Sequence, residues 1–180
     1  NMNVFGKGGH SLVVLNAATD VSGNFDDSDF EKYEENTEPW FIAIGDNEIR
    51  RKISERFKDY VNVFSNSAII NTPLCNIGTG NFFADGVVVQ PGCQIGNHVV
   101  LNTNCNIDHE CIIEDYVHIA PGSTLCGWVS IGEGTLIGAG SVVLPSIKVG
   151  KNCTIGAGSV VNKNIPDGSK AYGNPVKIQL

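Results

Sequence analysis

The sequence predicts a small α/β N-terminal unit of βαβ type followed by an all-β solenoid, a parallel β-helix built from six-residue repeats. Three observations predict it. From Ile77 to Val161 a large apolar residue returns at every sixth position, through fifteen consecutive hexads and without an insertion. At the chain's apolar content of 42%, one register does this by chance on the order of 10⁻⁶. The fourth position of the hexad is mostly Gly or Asn (Gly80, Gly86, Gly92, Asn104, Gly122, Gly134, Gly140, Asn152, Gly158), the residues that accept positive φ at little cost. Before residue 67 the six-residue period is absent, and strand-like and helix-like patterns alternate instead.

The elements follow in order. Asn3–Phe5 reads as a short strand running into Gly6-Lys7-Gly8-Gly9-His10, and Ser11–Ala18 as a helix. Residues 22–39 are acidic and poor in apolar side chains, so they read as a loop. Trp40–Ile44 has a buried-strand pattern, Asn47–Lys58 carries Ile49, Ile53 and Phe57 at helical spacing, and Val61–Phe64 reads as another strand of this unit. Ser65–Ser67 is the joint, giving a unit over 1–66 and a solenoid with its tail over 67–180, in which Pro166-Asp167-Gly168 reads as a turn and the closing GNPVKIQL as irregular.

Each hexad is then a short strand and a tight corner. Pro91-Gly92 and Pro121-Gly122 carry the type II turn signature. Three corners close a triangular coil of eighteen residues, and such repeats stack into a β-helix. The fifth position is small or β-branched, as at Val87, Val99, Ser123 and Thr135. Cys75, Cys93, Cys105, Cys111 and Cys153 occupy it too. They read as small buried hydrophobes with free thiols. No C-x-x-C occurs, so the usual zinc spacing is missing.

Composition narrows the function classes. Nineteen acidic against twelve basic residues leave a net charge of −7, a field that repels a nucleic-acid backbone. No apolar run approaches the ~20 residues that cross a bilayer, and the first residues lack a signal-peptide pattern. The expectation is a soluble cytoplasmic protein with neither a nucleic-acid nor a membrane partner.

The corners carry the chemistry. Sorted by eighteen, one edge of the prism reads Pro91-Gly92, His109-Glu110, Gly127-Trp128, Pro145-Ser146. A second edge, through Asn97-His98, Asp115-Tyr116 and Glu133-Gly134, is charged and mixed, as a solvated edge would be. The third narrows to Ala139-Gly140 and Ala157-Gly158, where a ligand could lie close to the backbone. His109-Glu110 stands where turn chemistry prefers glycine, and a broken local rule points to function. His109 fits a general base whose tautomer Glu110 fixes, although an exposed turn histidine would also look this way. Gly127 follows one coil later, ~4.8 Å away, where its N–H could meet a developing oxyanion. His118 and Asn102 occupy neighbouring outward positions, as ligand contacts or as ordinary surface residues. The Gly6–His10 loop, between a strand and a helix, has the setting of a phosphate site, or of a plain βα turn. Asp26 and Asp27 follow at a distance suited to a sugar hydroxyl.

The segment NTNCNIDHECIIEDYVHIAPG, the hexad run, the leading GKGGH and the closing GNPVK together resemble the bacterial hexapeptide-repeat sugar acetyltransferases. The branch is that of nucleotide-linked 4-amino-sugar N-acetyltransferases and sialic-acid O-acetyltransferases. The resemblance implies a left-handed winding, a homotrimer with active sites between subunits, and acetyl-CoA as co-substrate with no metal. It implies His109 as catalytic base with Glu110 as its partner, Asn102 as an active-site amide and Gly127 as the donor to the thioester oxygen. His118, Ala139 and Ala157 would contact acetyl-CoA. Gly6, Lys7, Gly8, Gly9, His10, Asp26 and Asp27 would bind a nucleotide-linked amino sugar. N-acetylation of a 4-amino-4,6-dideoxy sugar is the leading expectation, with O-acetylation of a sialic acid or another sugar, or a non-catalytic solenoid, as alternatives. A zinc hydratase on this scaffold needs three converging imidazoles, and His98, His109 and His118 fall on separate parts of one prism.

Overall fold

A computed structural model of the chain describes residues 1–32 and 37–179. β1 (Met2–Phe5), α1 (Gly9–Ala17), β2 (Val21–Phe25), β3 (Trp40–Ile42) and α2 (Asn47–Ser54) form the N-terminal unit. Its three strands are parallel in the order β2-β1-β3, so both faces of the sheet must be covered. The two-residue side-chain period does this. Val4, Phe41 and Ala43 join the core that continues into the solenoid. Phe5, Trp40 and Ile42 face a separate cluster with Ile53 and Phe57.

The solenoid is three parallel sheets of two-residue strands, with Ile107, Ile113, Ile119 and Leu125 successively on the axis. Strands of one sheet pair in strict register, as in Val100 with His118 and His118 with Leu136. This is the β-helix that the hexads imply, with the left-handed winding that the resemblance implies. The fourth hexad position has positive φ at glycine corners such as Gly92 and Gly122. It also does so at His98, Asn104, Glu110, Tyr116, Trp128, Ser146 and Asn152. The backbone of the repeat thus dictates the corner, and side chains are accepted there at a conformational cost.

Four readings need correction. Val21–Phe25 is a strand, not loop, because its backbone completes the edge of β1 while Phe25 packs on Trp40 at 5.4 Å. The remainder of the loop reading falls partly on residues 33–36, outside the described residues. Val63–Phe64 pairs with Phe82–Phe83 and belongs to a first coil, which the hexad count misses because a 3₁₀ turn, Thr72–Leu74, lengthens it by one residue. The tail is not irregular, since Lys177–Gln179 pairs antiparallel with Lys170–Tyr172 and covers the last parallel strand. The second edge is not left to solvent. α2 lies on it, with Asn47 Nδ2 donating to Gly134 O at 3.0 Å and Arg51 pairing with Glu133 at 3.1 Å. Among the described residues no helix is long and apolar enough to cross a membrane.

All six cysteines are free, and Cys93, Cys105, Cys111 and Cys153 are buried, whereas Cys75, at the open end, and Cys126 are only half-buried. Native thiol titration should therefore label Cys75 and Cys126 first and leave the other four until unfolding. Rapid labelling of Cys93 or Cys111 would contradict the inward placement of the fifth position.

Candidate functional site

Two clusters form on the solenoid. The first sits at the corner between Asn106–Ile107 and Ile112–Ile113. There Glu110 takes φ of 57°, and Asp108 Oδ1 accepts the His109 N–H at 2.7 Å, fixing the turn. His109 Nδ1 lies 3.2 Å from Glu110 Oε2. A proton on Nδ1 satisfies the carboxylate and leaves Nε2 with a free lone pair, the form a base requires. The ring edge meets Trp128 at 4.4 Å. It also covers Gly127, where a Cβ would fall 2.7 Å from Nε2, so the glycine is what lets the imidazole lie there. At the equivalent corner position the N–H groups of Asn97, Thr103 and Glu133 are capped by side-chain oxygens. Those of Gly127, Ala139 and Ala157 have no acceptor among the described residues. An open cavity of about 460 Å³ is lined by Leu74, Pro91, Gly92, His109 and Glu110.

The second cluster joins the solenoid wall to the N-terminal unit. His118 Nδ1 lies 3.2 Å from Gly45 O, and Nε2 lies 3.1 Å from Asn102 Nδ2. Asn102 Oδ1 accepts the Thr103 N–H at 2.8 Å. His10 comes to 6.3 Å from His118, ring to ring, and its Nε2 is buried without a hydrogen-bond partner among the described residues. Burial, then the charge of Arg50, pushes both imidazoles down to about 4. His98, stacked on Tyr116 at 5.3 Å, is lowered to about 4 by the same two causes.

In the Gly6–His10 loop, Gly6 has φ of 124°, and a Cβ there would meet Ala43 O at 2.7 Å. Gly8 caps α1 without a side chain, and Gly8 and Gly9 face open space. Lys7 pairs with Asp29 at 2.6 Å and Asp26 at 3.5 Å, and these carboxylates raise its pKa against the smaller opposing effect of desolvation. Asp27 instead pairs with Arg56, so the two adjacent aspartates are tied to different cations.

The structure thus groups His109, Glu110 and Gly127, and separately His118, Asn102 and His10, with no hydrogen bond or ring contact among the described residues linking the groups. Ala139 and Ala157 are exposed beside Gly140 and Gly158, where an added Cβ would meet open space. A larger concavity, about 790 Å³, runs along the face of Asn76, Gln94 and Ile112 and contains none of these residues. Sequence reasoning missed Trp128, Gly45 and Arg50. Trp128 could have been found, since a tryptophan at a positive-φ corner breaks the same rule as His109-Glu110.

Comparison with known proteins matches residues 92–127 and 129–163 to the family described as bacterial transferase hexapeptide (six repeats). The structure of PerB from Caulobacter crescentus in complex with CoA and GDP-perosamine is 30% identical with TM-score 0.93, covering 99% of this chain and 97% of that one. The acetyltransferase domain of PglB from Neisseria gonorrhoeae FA1090 in complex with acetyl coenzyme A is 29% identical with TM-score 0.90, covering 99% and 98%. A GDP-perosamine N-acetyltransferase of Escherichia coli O157:H7 is 30% identical over 102 residues, 54% of this chain and 45% of that protein. The chain spans less than half the length of the curated relatives it matches.

Because His10, His98 and His118 are held neutral, the unfolded chain, with ordinary histidine pKa values near 6.5, binds protons before the folded one as pH falls. Stability should therefore drop between about pH 6.5 and pH 4. Urea midpoints across this range should fall with acidification, and His118→Gln should flatten part of the slope. Midpoints that are level down to pH 4 would contradict the burial of these rings.

Proposed function

Since this chain belongs to the hexapeptide-repeat sugar acetyltransferases, we propose that it transfers the acetyl group of acetyl-CoA to the amine of a nucleotide-linked 4-amino-4,6-dideoxy sugar. The observation that carries this reading is the His109–Glu110 pair laid over a Gly127 N–H that has no acceptor among the described residues. The amine nitrogen attacks the thioester carbonyl carbon. A C–N bond forms, the C–S bond breaks, and His109 Nε2 takes the amine proton and returns it to the departing thiolate. Glu110 holds the Nδ1 proton and stabilises the imidazolium. The Gly127 N–H donates to the carbonyl oxygen as it gains charge, an effect typically worth ~10²–10³ in rate. Ala139 and Ala157 offer free N–H groups to the pantetheine arm.

His109 and the Ala-Gly corners lie on different edges of the prism, so the site needs two chains. A homotrimer that sets one edge against the next chain's Ala-Gly edge completes it. The Gly6–His10 loop holds the sugar nucleotide's phosphates with backbone N–H groups at the start of α1, and Asp26 and Asp27 stand beside it. The soluble, cytoplasmic setting belongs to the same reading.

A screen of nucleotide-linked 4-amino sugars with acetyl-CoA, read by released thiol, tests the reaction. GDP-perosamine, bound by PerB, is the first acceptor to try. His109→Ala should lower kcat by ~10²–10⁴ while acetyl-CoA binding persists. A variant keeping more than about a tenth of the original kcat would remove His109 from the role of base.

A further inference from the structure

Arg50 belongs to α2, yet it is 1% exposed, and among the described residues no carboxylate pairs with it. Its five N–H donors meet five acceptors. Nε donates to His98 O at 2.8 Å, Nη1 to Ile44 O at 2.9 Å and Gly45 O at 3.0 Å, and Nη2 to Asn47 Oδ1 at 2.8 Å and Tyr116 O at 3.0 Å. One guanidinium therefore ties the turn before α2 to two stacked corners of the solenoid.

The chain of contacts does not stop there. Gly45 O, held by Arg50, also receives His118 Nδ1 at 3.2 Å. A carbonyl oxygen only accepts, so the His118 proton resides on Nδ1 and Nε2 is an acceptor. Asn102 then donates one Nδ2–H to Nε2. Its Oδ1 is taken by the Thr103 N–H, so its amide cannot flip without losing both bonds. One N–H of Asn102 has no partner among the described residues and can donate to a substrate. We propose that Arg50 is a positioning residue for acyl transfer: through the Gly45 carbonyl it fixes the His118 tautomer and so keeps the Asn102 amide turned as a donor. This rests on the reading of His118 and Asn102 as parts of the transfer site. A residue needed only to join the two units would not have to set the protonation site of an imidazole two bonds away.

The test is the tautomer itself. In ¹⁵N-labelled protein at pH 7, long-range ¹H–¹⁵N spectra should show His118, assigned by its loss in His118→Gln, with its proton on Nδ1. Arg50→Lys keeps the charge but offers three donors to five acceptors. In the folded variant the His118 signals should become a mixture of both tautomers. Released-thiol assays should show kcat down about 10–100-fold, as for misplaced groups in other enzymes, with KM for acetyl-CoA changed less than about threefold. Asn47→Ala, which removes one of the five acceptors without touching the charge, should shift both readouts in the same direction and by less. A His118 that carries its proton on Nε2 in the unaltered protein overturns the proposal, whatever the variants do. So does a folded Arg50→Lys protein with an unchanged tautomer. Absence of turnover in the unaltered protein would refute acetyl transfer while leaving the tautomer to decide for or against Arg50.

Discussion

A buried guanidinium with no carboxylate partner among the described residues is the constraint on which the rest depends. Placing an unpaired cation out of water costs several kcal/mol unless every donor is met, and Arg50 meets the condition with carbonyls from both units. The carbonyls of His98 and Tyr116 converge only because both residues sit at positive-φ corners of successive coils. The position of α2 on the solenoid is therefore written into the solenoid's own turns. Arg50 also remains charged, lowered by burial only to about 10, and its field helps hold His10, His98 and His118 neutral. A group of neutral imidazoles beside a fixed cation is a consequence of how the two units join.

The β-helix supplies rigidity by repetition, and its chemistry lies in departures from the repeat. A corner glycine costs nothing at positive φ, whereas Glu110 and Trp128 each hold a conformation that costs of order 1 kcal/mol. Those two residues frame His109 from below and above. Gly127 contributes by lacking a side chain, since any Cβ would displace the imidazole. At Ala139 and Ala157 the departure is again subtraction, with small residues and N–H groups that have no acceptor among the described residues where other corners are capped.

The solenoid was legible because a two-residue strand and a tight turn repeat without slippage, so each residue's burial follows from its position modulo six. The His109–Glu110 corner was legible for the same reason, as an exception to a strong rule. Where the rule was weaker, reading failed. Val63–Phe64 was assigned to the N-terminal unit because the coil it opens contains one extra residue. β2 was missed because polar Ser22 and Asn24 conceal a strand that is held by backbone pairing rather than by its side chains. Arg50 was invisible for a deeper reason. An arginine followed by Arg51 and Lys52 on an amphipathic helix reads as surface, and its burial is decided by carbonyls 48 and 66 residues away. The second edge was misjudged with it, because nothing local says that a charged corner will be covered.

The central claim is that the transfer site is divided, with the His109 corner on one chain and the Ala139 corner on its neighbour. Mixing two inactive variants tests this most directly, His109→Ala with Ala139→Trp, after dissociation and reassembly. If sites are shared, equal mixing leaves roughly a quarter of the interfaces free of either lesion in a closed trimer, and released-thiol activity recovers to about that fraction. If mixing restores nothing although mixed oligomers form, both residues serve a site within one chain and the division is wrong.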